Sequence, residues 1–336
     1  MLTVVLVARD AADSLDDVLS AYARLERPHG GFRVVLVDNA SVDGTAEVVR
    51  AHEDRLPLTT LYEPRRGQNR ARNLAMPHVE GDLLVLTDAD AIPRADWLVR
   101  LREAADRHPS HDVFAGTVRP VFATPPPPWL LAAGRHGPNF ARLERDEDGD
   151  LHPREALGPN FAVRTRVLAH APRFDESIGP DGTSDYAMGA ETAFLQRLAD
   201  AGVRARYVRD AVVEHRLPAA LSTPEGVLVR AHRFGRGRFR LGTVPAARDG
   251  LRVGGVPLRL FADRLGRRLA LLRAGRDPVR AFRARWHLAF LAGQIAEARA
   301  ARRAAPAKAG APPPTAPRLV RTPEPAEVAA TASPAR

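Results

Sequence analysis

Apolar runs and amphipathic stretches alternate along the first 120 residues. The apolar runs have the length and composition of buried strands and lie at 2–7, 32–37, 58–62 and 83–87. The stretches between them have the spacing of amphipathic helices and lie at 14–25, 45–53, 69–76 and 95–107. Strands that alternate with helices of this length form βαβ units, whose strands are parallel. The pattern predicts an α/β fold built on a mainly parallel, twisted sheet.

The middle of the chain has fewer regular patterns. Strands are predicted at 157–163 and 206–215, with a helix at 189–201 between them. The prolines at 125–128 predict a stiff, extended connector in front of Trp129. This region therefore continues the α/β pattern but adds irregular segments to it.

The C-terminal part of the chain is basic and helical in pattern. Residues 216–303 contain twenty arginines and five acidic residues, whereas the net charge of the whole chain is +10. Two amphipathic stretches are predicted, at 258–272 and 279–295, and the first carries a stripe of Leu258, Phe261, Leu265, Leu269 and Leu272. The charge favours contact with an anionic surface, of lipid or nucleic acid, although helices packed on the preceding domain would also produce this pattern. Residues 304–336, rich in alanine and proline, predict a disordered tail.

Composition excludes several kinds of site. The chain contains no cysteine, so disulfides and thiolate metal sites are excluded, and a metal would have to be bound by Asp, Glu and His. No run of about 18 uncharged apolar residues occurs, and no membrane-spanning helix is predicted. The first apolar run has no basic residues before it, so we expect a strand there and not a signal peptide.

Two carboxylates, Asp88 and Asp90, follow the apolar run at 83–87 with one alanine between them. Ligands bind at the carboxyl ends of strands in open α/β sheets. Two oxygen ligands at such a place can hold a divalent cation, with a bound phosphate supplying further oxygens. The alternative is that both carboxylates only solvate a turn.

Several short segments occur in a fixed order around these carboxylates. They are Val35-Leu-Val-Asp-Asn-Ala-Ser-Val-Asp-Gly-Thr45, Gly67-Gln-Asn-Arg-Ala-Arg-Asn73, Gly158-Pro-Asn-Phe-Ala-Val-Arg164, Gly189-Ala-Glu-Thr192 and Val213-Glu-His215. With Asp88 and Asp90, this series resembles the family-2 glycosyltransferases that have the A-type nucleotide-sugar-binding fold. The resemblance covers residues 1–240 and implies a Rossmann-like sheet and an inverting, metal-dependent sugar transfer from a nucleotide donor.

The resemblance assigns the donor side of the site. It implies that Asp88, Asp90 and His215 hold Mg²⁺ or Mn²⁺, with Asp88 also contacting the donor. Asp38 matches the aspartate that contacts the nucleotide base, although it could also cap the turn that follows it. The remaining candidates are arginines that suit phosphate contacts: Arg9, Arg70 and Arg72. His215 could equally be a polar strand terminus.

The acceptor side is assigned in the same way. The family has a pair of acidic residues at a helix start, and the matching positions are Ala190 and Glu191. Glu191 is therefore the expected catalytic base, although a carboxylate is also favourable at any helix N-terminus. Asn160 lies in the segment that the family uses near the acceptor, and Trp129 could stack on a sugar or anchor the core. The basic segment 233–240 could close over the diphosphate or be a solvated loop.

These inferences predict three parts. Residues 1–240 form the catalytic domain, with a nucleotide-binding half (1–120) and an acceptor half (121–240); residues 241–303 form a basic helical extension, and 304–336 a tail. The expected partners are a UDP-, GDP- or dTDP-linked donor, a glycan or lipid-linked acceptor and an anionic membrane surface, with no nucleic acid. We expect a cytoplasmic enzyme on the inner face of a membrane that builds an envelope or secreted glycan. The alternatives are a non-catalytic nucleotide-sugar-binding protein and a nucleotidyltransferase.

Overall fold

The computed structural model describes residues 1–133, 139–170, 173–245 and 250–304. The strands in the central sheet are β1 (Leu2–Ala8), β2 (Phe32–Asp38), β3 (Leu58–Tyr62), β4 (Leu83–Asp88), β5 (Ala91–Pro93), β6 (Val113–Phe122), β7 (Gly149–Leu151), β8 (Phe161–Arg164) and β9 (Ala205–Leu217). The helices are α1 (Ala12–Tyr22), α2 (Thr45–Arg50), α3 (Gln68–Ala75), α4 (Trp97–Arg107), α5 (Pro128–Ala133), α6 (Ala190–Asp200), α7 (Pro224–Arg240), α8 (Leu258–Arg273) and α9 (Pro278–Ala304). A small hairpin of β10 (Arg252–Val253) and β11 (Val256–Pro257) precedes α8.

The sheet has the strand order β3-β2-β1-β4-β8-β6-β9-β5, with β7 beside β9. Strands β1 to β4 are parallel to their neighbours within this group, and β6 is parallel to β9. The antiparallel neighbours come from β5, β7 and β8. The predicted α/β fold with a mainly parallel sheet is confirmed.

Strand β4 lies at the centre of the sheet and is buried on both faces. Leu83 and Val85 pack into one core with α1 and α4, while Leu84 and Leu86 pack into another with α3 and α6. Alternate residues of a strand point to opposite faces, so a continuous apolar run is required where helices cover both sides. The register places Asp88 opposite Val7 of β1, so the carboxyl ends of these strands share one edge.

Helix α9 packs on the preceding part of the chain. Phe282 and Trp286 enter a core with Leu130 of α5 and Val227 of α7, and the Trp286 indole donates to Asn139 Oδ1 at 2.8 Å. The second amphipathic stretch therefore shares a core with residues of the acceptor half. The predicted extended connector is partly wrong, because Pro128 begins α5. Proline suits the first turn of a helix, because backbone N–H groups there have no acceptor within the helix and proline lacks only such an N–H.

Helix α8 is much less buried than α9. Leu260 is buried, but four leucines of the predicted stripe are exposed: Leu258, Leu265, Leu269 and Leu272. Among the described helices, none combines the length and low charge that a membrane span requires. The predicted tail, apart from Ala304 at the end of α9, lies outside the described residues.

Candidate active site

Asp88, Asp90 and His215 meet at the edge of the sheet where β5, which follows β4 in the chain, pairs with β9. The pairing of β5 with β9 sets this arrangement, since Ala91 lies opposite His215. One potential ligand atom from each of the three side chains lies within 4.8 Å of the others. The three predicted metal ligands are therefore close enough to share one cation.

The free polar atoms of this cluster fit a divalent cation. His215 Nε2 lies 3.3 Å from Asp90 Oδ1, yet Asp90 Oδ1 and His215 Nδ1 have no hydrogen-bond partner among the described residues. Burial raises the pKa of Asp88 to about 6; Arg72 opposes this shift, while the negative charges of Asp90 and Glu191 add to it. Two carboxylates and one imidazole are ligands that Mg²⁺ or Mn²⁺ accepts, and a cation would relieve this accumulation of negative charge.

Arg72 connects the cluster to Glu191. Its guanidinium, only 2% exposed, lies 3.0 Å from Glu191 Oε1 and 3.4 Å from Asp88 Oδ1. Phe174 lies under the guanidinium, 5.4 Å from it. Arg72 is therefore held by packing, and it contacts both the expected metal ligand and the expected base.

Glu191 stands in the first turn of α6, and small residues surround it. A Cβ atom on Gly158 would lie 2.7 Å from Glu191 Oε1, so glycine is needed there for the carboxylate to keep this position. Ala190, in place of the usual first acid, is 2% exposed and faces Gly179. The single carboxylate at this helix start points into the space between two cavities.

The first cavity, of about 410 Å³, opens above the ends of β1 and β4. Its lining includes Arg9, Asp88, Asp90, Glu191 and His215. Most of the predicted donor and metal residues are thus brought together around one space.

Three predicted donor residues, Asp38, Arg70 and the buried Arg72, do not line this cavity. Asp38, 9% exposed, accepts a hydrogen bond from the backbone N–H of Ser41 at 3.0 Å and so caps the turn after β2. Arg70 lies 3.4 Å from Glu176, on the outer side of α3. Arg72, two residues away, is on the inner side.

The two predicted acceptor residues lie away from the open space. Asn160 is fully buried: its Nδ2 donates to the carbonyls of Thr117 and Ala211, and its Oδ1 accepts from the Trp97 indole. Trp129 packs edge-to-face on Phe282 at 5.7 Å, in the core between α5 and α9. Both side chains therefore contribute to the packing of the fold, and neither lines the two cavities beside Glu191.

The basic segment 233–240 is a helix and not a loop over the diphosphate. Arg236 and Arg240, on α7, form ion pairs with Glu297 of α9 at 3.0 and 2.6 Å. These arginines join two helices. Arg238 points elsewhere, toward a second cavity.

Sequence reasoning missed several residues of the first cavity, including Asn39, Gln68 and Arg230. Gln68 donates to Asp88 Oδ1 at 3.2 Å, and Asn39 accepts from the backbone N–H of Gly67 at 2.8 Å. Both belong to segments that carried the resemblance, so neighbouring polar residues there were a usable signal. Arg230, on α7, lines the cavity as well. A single arginine in a basic helix gave no signal.

Comparison with known proteins identifies the family. The family model described as "Glycosyl transferase family 2" matches residues 3–170, half of the chain. Glycosyltransferase AglE of Haloferax volcanii is 24% identical over 244 residues, which are 71% of this chain and 73% of that protein.

Solved structures show the same fold. A mannosyltransferase of Pyrobaculum calidifontis, solved with GDP-mannose and Mn²⁺, has a TM-score of 0.54 and 24% identity, over 91% of this chain and 76% of its own. S. aureus TarS, residues 1–349 with UDP-GlcNAc, has a TM-score of 0.53 and 15% identity, over 90% and 91%. These likenesses confirm the A-type glycosyltransferase fold. With the family match, they lead to one conclusion: the chain belongs to glycosyl transferase family 2 and is a glycosyltransferase.

Proposed function

We propose that this glycosyltransferase is metal-dependent and inverting, and that it moves a sugar from a nucleotide donor to a hydroxyl group of its acceptor. The observation that carries the proposal is the position of Glu191, between the Asp88–Asp90–His215 cluster and a second cavity. A base placed between a donor space and an acceptor space is the arrangement that a direct displacement needs.

The donor would lie in the first cavity, with its diphosphate near Asp88 and Asp90. Arg9 and Arg72 supply positive charge on this side, and Gln68 offers an amide group. A bound Mg²⁺ or Mn²⁺ would supply Lewis-acid neutralisation of the diphosphate charge. The complexes of the solved relatives with GDP-mannose and UDP-GlcNAc support a nucleotide-sugar donor without naming the one used here.

Glu191 would act on the acceptor. Its carboxylate takes the proton of the acceptor hydroxyl while the hydroxyl oxygen bonds to the anomeric carbon. The bond from that carbon to the diphosphate breaks at the same time, and the nucleoside diphosphate leaves with the electron pair. Attack from the side opposite the leaving group inverts the anomeric centre. Arg72, 3.0 Å from Glu191, fixes the direction of the carboxylate.

We place the enzyme on the inner face of a membrane, in synthesis of an envelope or secreted glycan. Helix α8 supports this placement, because Leu265, Leu269 and Leu272 are exposed on one face with Arg268 and Arg273 beside them. Exposed leucines flanked by arginines suit the headgroup region of an anionic bilayer.

Calorimetric titration with a panel of nucleotide sugars tests the proposal. We expect one donor to bind in the presence of Mn²⁺ or Mg²⁺, and its binding to disappear with chelator and in Asp88→Ala/Asp90→Ala. Absence of binding by UDP-, GDP- and dTDP-sugars under every metal condition would refute the donor assignment. Donor binding with no sugar transfer or hydrolysis, unchanged in Glu191→Gln, would favour a binding protein over an enzyme.

A further inference from the structure

A second cavity, of about 420 Å³, lies on the other side of Glu191 from the donor space. It shares Asp88, Glu191, His215 and Arg230 with the first cavity, so the two spaces meet at the expected base. Much of its wall is apolar and is formed by Leu143, Ala156, Leu157, Pro159, Met188 and Phe234. This position suits an acceptor, and the chemistry of the cavity walls indicates which kind of acceptor would fit.

The carboxylates of this cavity already have arginine partners. Asp88 and Glu191 are paired with Arg72, and Glu155 Oε2 lies 2.5 Å from Arg145 Nη2. Neither of these arginines lines the cavity. Glu155 is thus neutralised from outside the cavity, and the negative charge that remains, from two carboxylates that share Arg72, lies where the two cavities meet.

The cavity nevertheless has arginines of its own. Arg142 is neutralised by Glu144 at 2.9 Å. The Arg154 side chain contacts the ring of His152, and Arg238 donates to the carbonyl of Thr243 at 3.3 Å and lies over Phe234. Among the described residues, no carboxylate forms an ion pair with Arg154 or Arg238.

Arg154 and Arg238 also repel each other. Burial lowers the pKa of Arg238, and the positive charge of Arg154 lowers it further, with no acidic residue acting in the opposite direction. The Arg238 guanidinium loses hydration beside an apolar wall, gains no counter-charge among the described residues and is repelled by the exposed Arg154, which is unfavourable. A bound anion would supply the missing counter-charge and reduce the repulsion between the two arginines. Guanidinium groups also match the oxygens of a phosphate in geometry.

We propose that Arg154 and Arg238 form a phosphate-binding subsite, and that the enzyme glycosylates an acceptor that carries a phosphate group next to an apolar or sugar portion. The acceptor phosphate lies on the two arginines, its body lies along Leu157 and Phe234, and its reacting hydroxyl reaches Glu191. The proposal rests on the function proposed above, because it assigns the second cavity to the acceptor. A phosphate of this kind occurs in lipid-linked glycans and in soluble phosphorylated sugars.

Two matched pairs of probes test the subsite by calorimetry on the full chain. The first pair is geranyl phosphate and geraniol, and the second is glucose 1-phosphate and glucose. Mn²⁺ and a saturating nucleoside diphosphate occupy the first cavity, so that only the second cavity is open to the probes. We expect the phosphorylated member of one pair to bind at least about tenfold more tightly than its partner. Preference for geranyl phosphate assigns a lipid-linked acceptor, and preference for glucose 1-phosphate assigns a soluble one.

Variants locate the effect. Arg154→Gln and Arg238→Gln should abolish the preference for phosphate, whereas Arg142→Gln, which removes a paired arginine from the same wall, should keep it. Arg154 is exposed, so its variant is expected to fold even if the Arg238 variant does not. The proposal is overturned if neither phosphate is preferred, or if the preference survives in Arg154→Gln.

The two proposals fail separately. If the protein binds a nucleotide sugar but does not discriminate between the probes, only the proposal of a phosphate subsite is refuted. Absence of nucleotide binding refutes the donor assignment, and the subsite is then decided by whether Arg154→Gln abolishes the preference for phosphate in a titration without nucleotide and metal.

Discussion

The substitution Gly158→Ala tests whether the position of Glu191 controls the reaction. A Cβ at residue 158 would lie 2.7 Å from Glu191 Oε1, whereas an ordinary contact begins at 3.4 Å, so the oxygen must move by about 0.7 Å. The loop itself is held in place, because Thr87 donates to the carbonyl of Pro159 at 2.8 Å and Asn160 is buried with three hydrogen bonds. The flexible glutamate should therefore move.

The expected loss follows from the geometry of catalysis. A misplacement of about 1 Å in a catalytic group costs on the order of 10²-fold in rate, so a shift of about 0.7 Å should cost roughly 10- to 100-fold in kcat. Donor affinity should not change, since the substitution does not touch Asp88 or Asp90. The free energy of unfolding should change by less than about 1 kcal/mol, because residue 158 is not among the glycines with positive φ.

The assay is release of nucleoside diphosphate at saturating donor and Mn²⁺, with donor affinity measured separately by calorimetry. Gly149→Ala is the matched control, because a Cβ at residue 149 would meet nothing within 4 Å. A wild-type rate in Gly158→Ala would refute the assignment of Glu191 as the base. Equal loss of rate in both variants would show that the effect is not local.

Two further predictions concern the C-terminal helices. Trp286→Ala should lower the free energy of unfolding by about 3–5 kcal/mol within a single denaturant transition, because Trp286 is buried between α9 and α7 and stacks on Phe290 at 5.4 Å; two separate transitions would show that α9 folds independently. Leu265→Glu/Leu272→Glu should reduce co-sedimentation with anionic vesicles by at least about tenfold, since each exposed leucine gains roughly 1.5 kcal/mol or more on burial. Undiminished binding of this variant, while donor affinity is kept, would contradict the membrane placement.

The sequence predicted those features that depend on neighbouring residues. The apolar run before Asp88 has no polar interruption because both faces of β4 are covered by helices. Such an unbroken apolar run can be recognised in a single sequence. The Asp88 and Asp90 pair, and Glu191 in the first turn of α6, were found in the same way. Each is a short local pattern, and the fold brings these patterns to one edge of the sheet.

Features that depend on distant partners could not be predicted. Trp129 packs on Phe282, more than 150 residues away, so its own surroundings in the sequence carry no sign of this contact. In the sequence, Asn160 has the position of a residue near the acceptor. In the structure its amide is hydrogen-bonded to Trp97 and to the carbonyl of Thr117. An amphipathic pattern also does not say which neighbour covers a face, and the leucine stripe of α8 is the exposed side of its helix.

The alanine at residue 190 is explained by the packing around it. Ala190 is 2% exposed, and its Cβ lies 3.0 Å from where a Cβ on Gly179 would stand. Gly179 has a φ of +101°, and the Asn69 side chain donates to the carbonyl of Ile178 beside it at 2.9 Å. An acidic side chain at 190 would have to displace this turn, whereas alanine lets the start of α6 pack against it. The same helix start carries Glu191, 3.0 Å from Arg72, so the packing that excludes an acid at 190 also sets the position of the expected base.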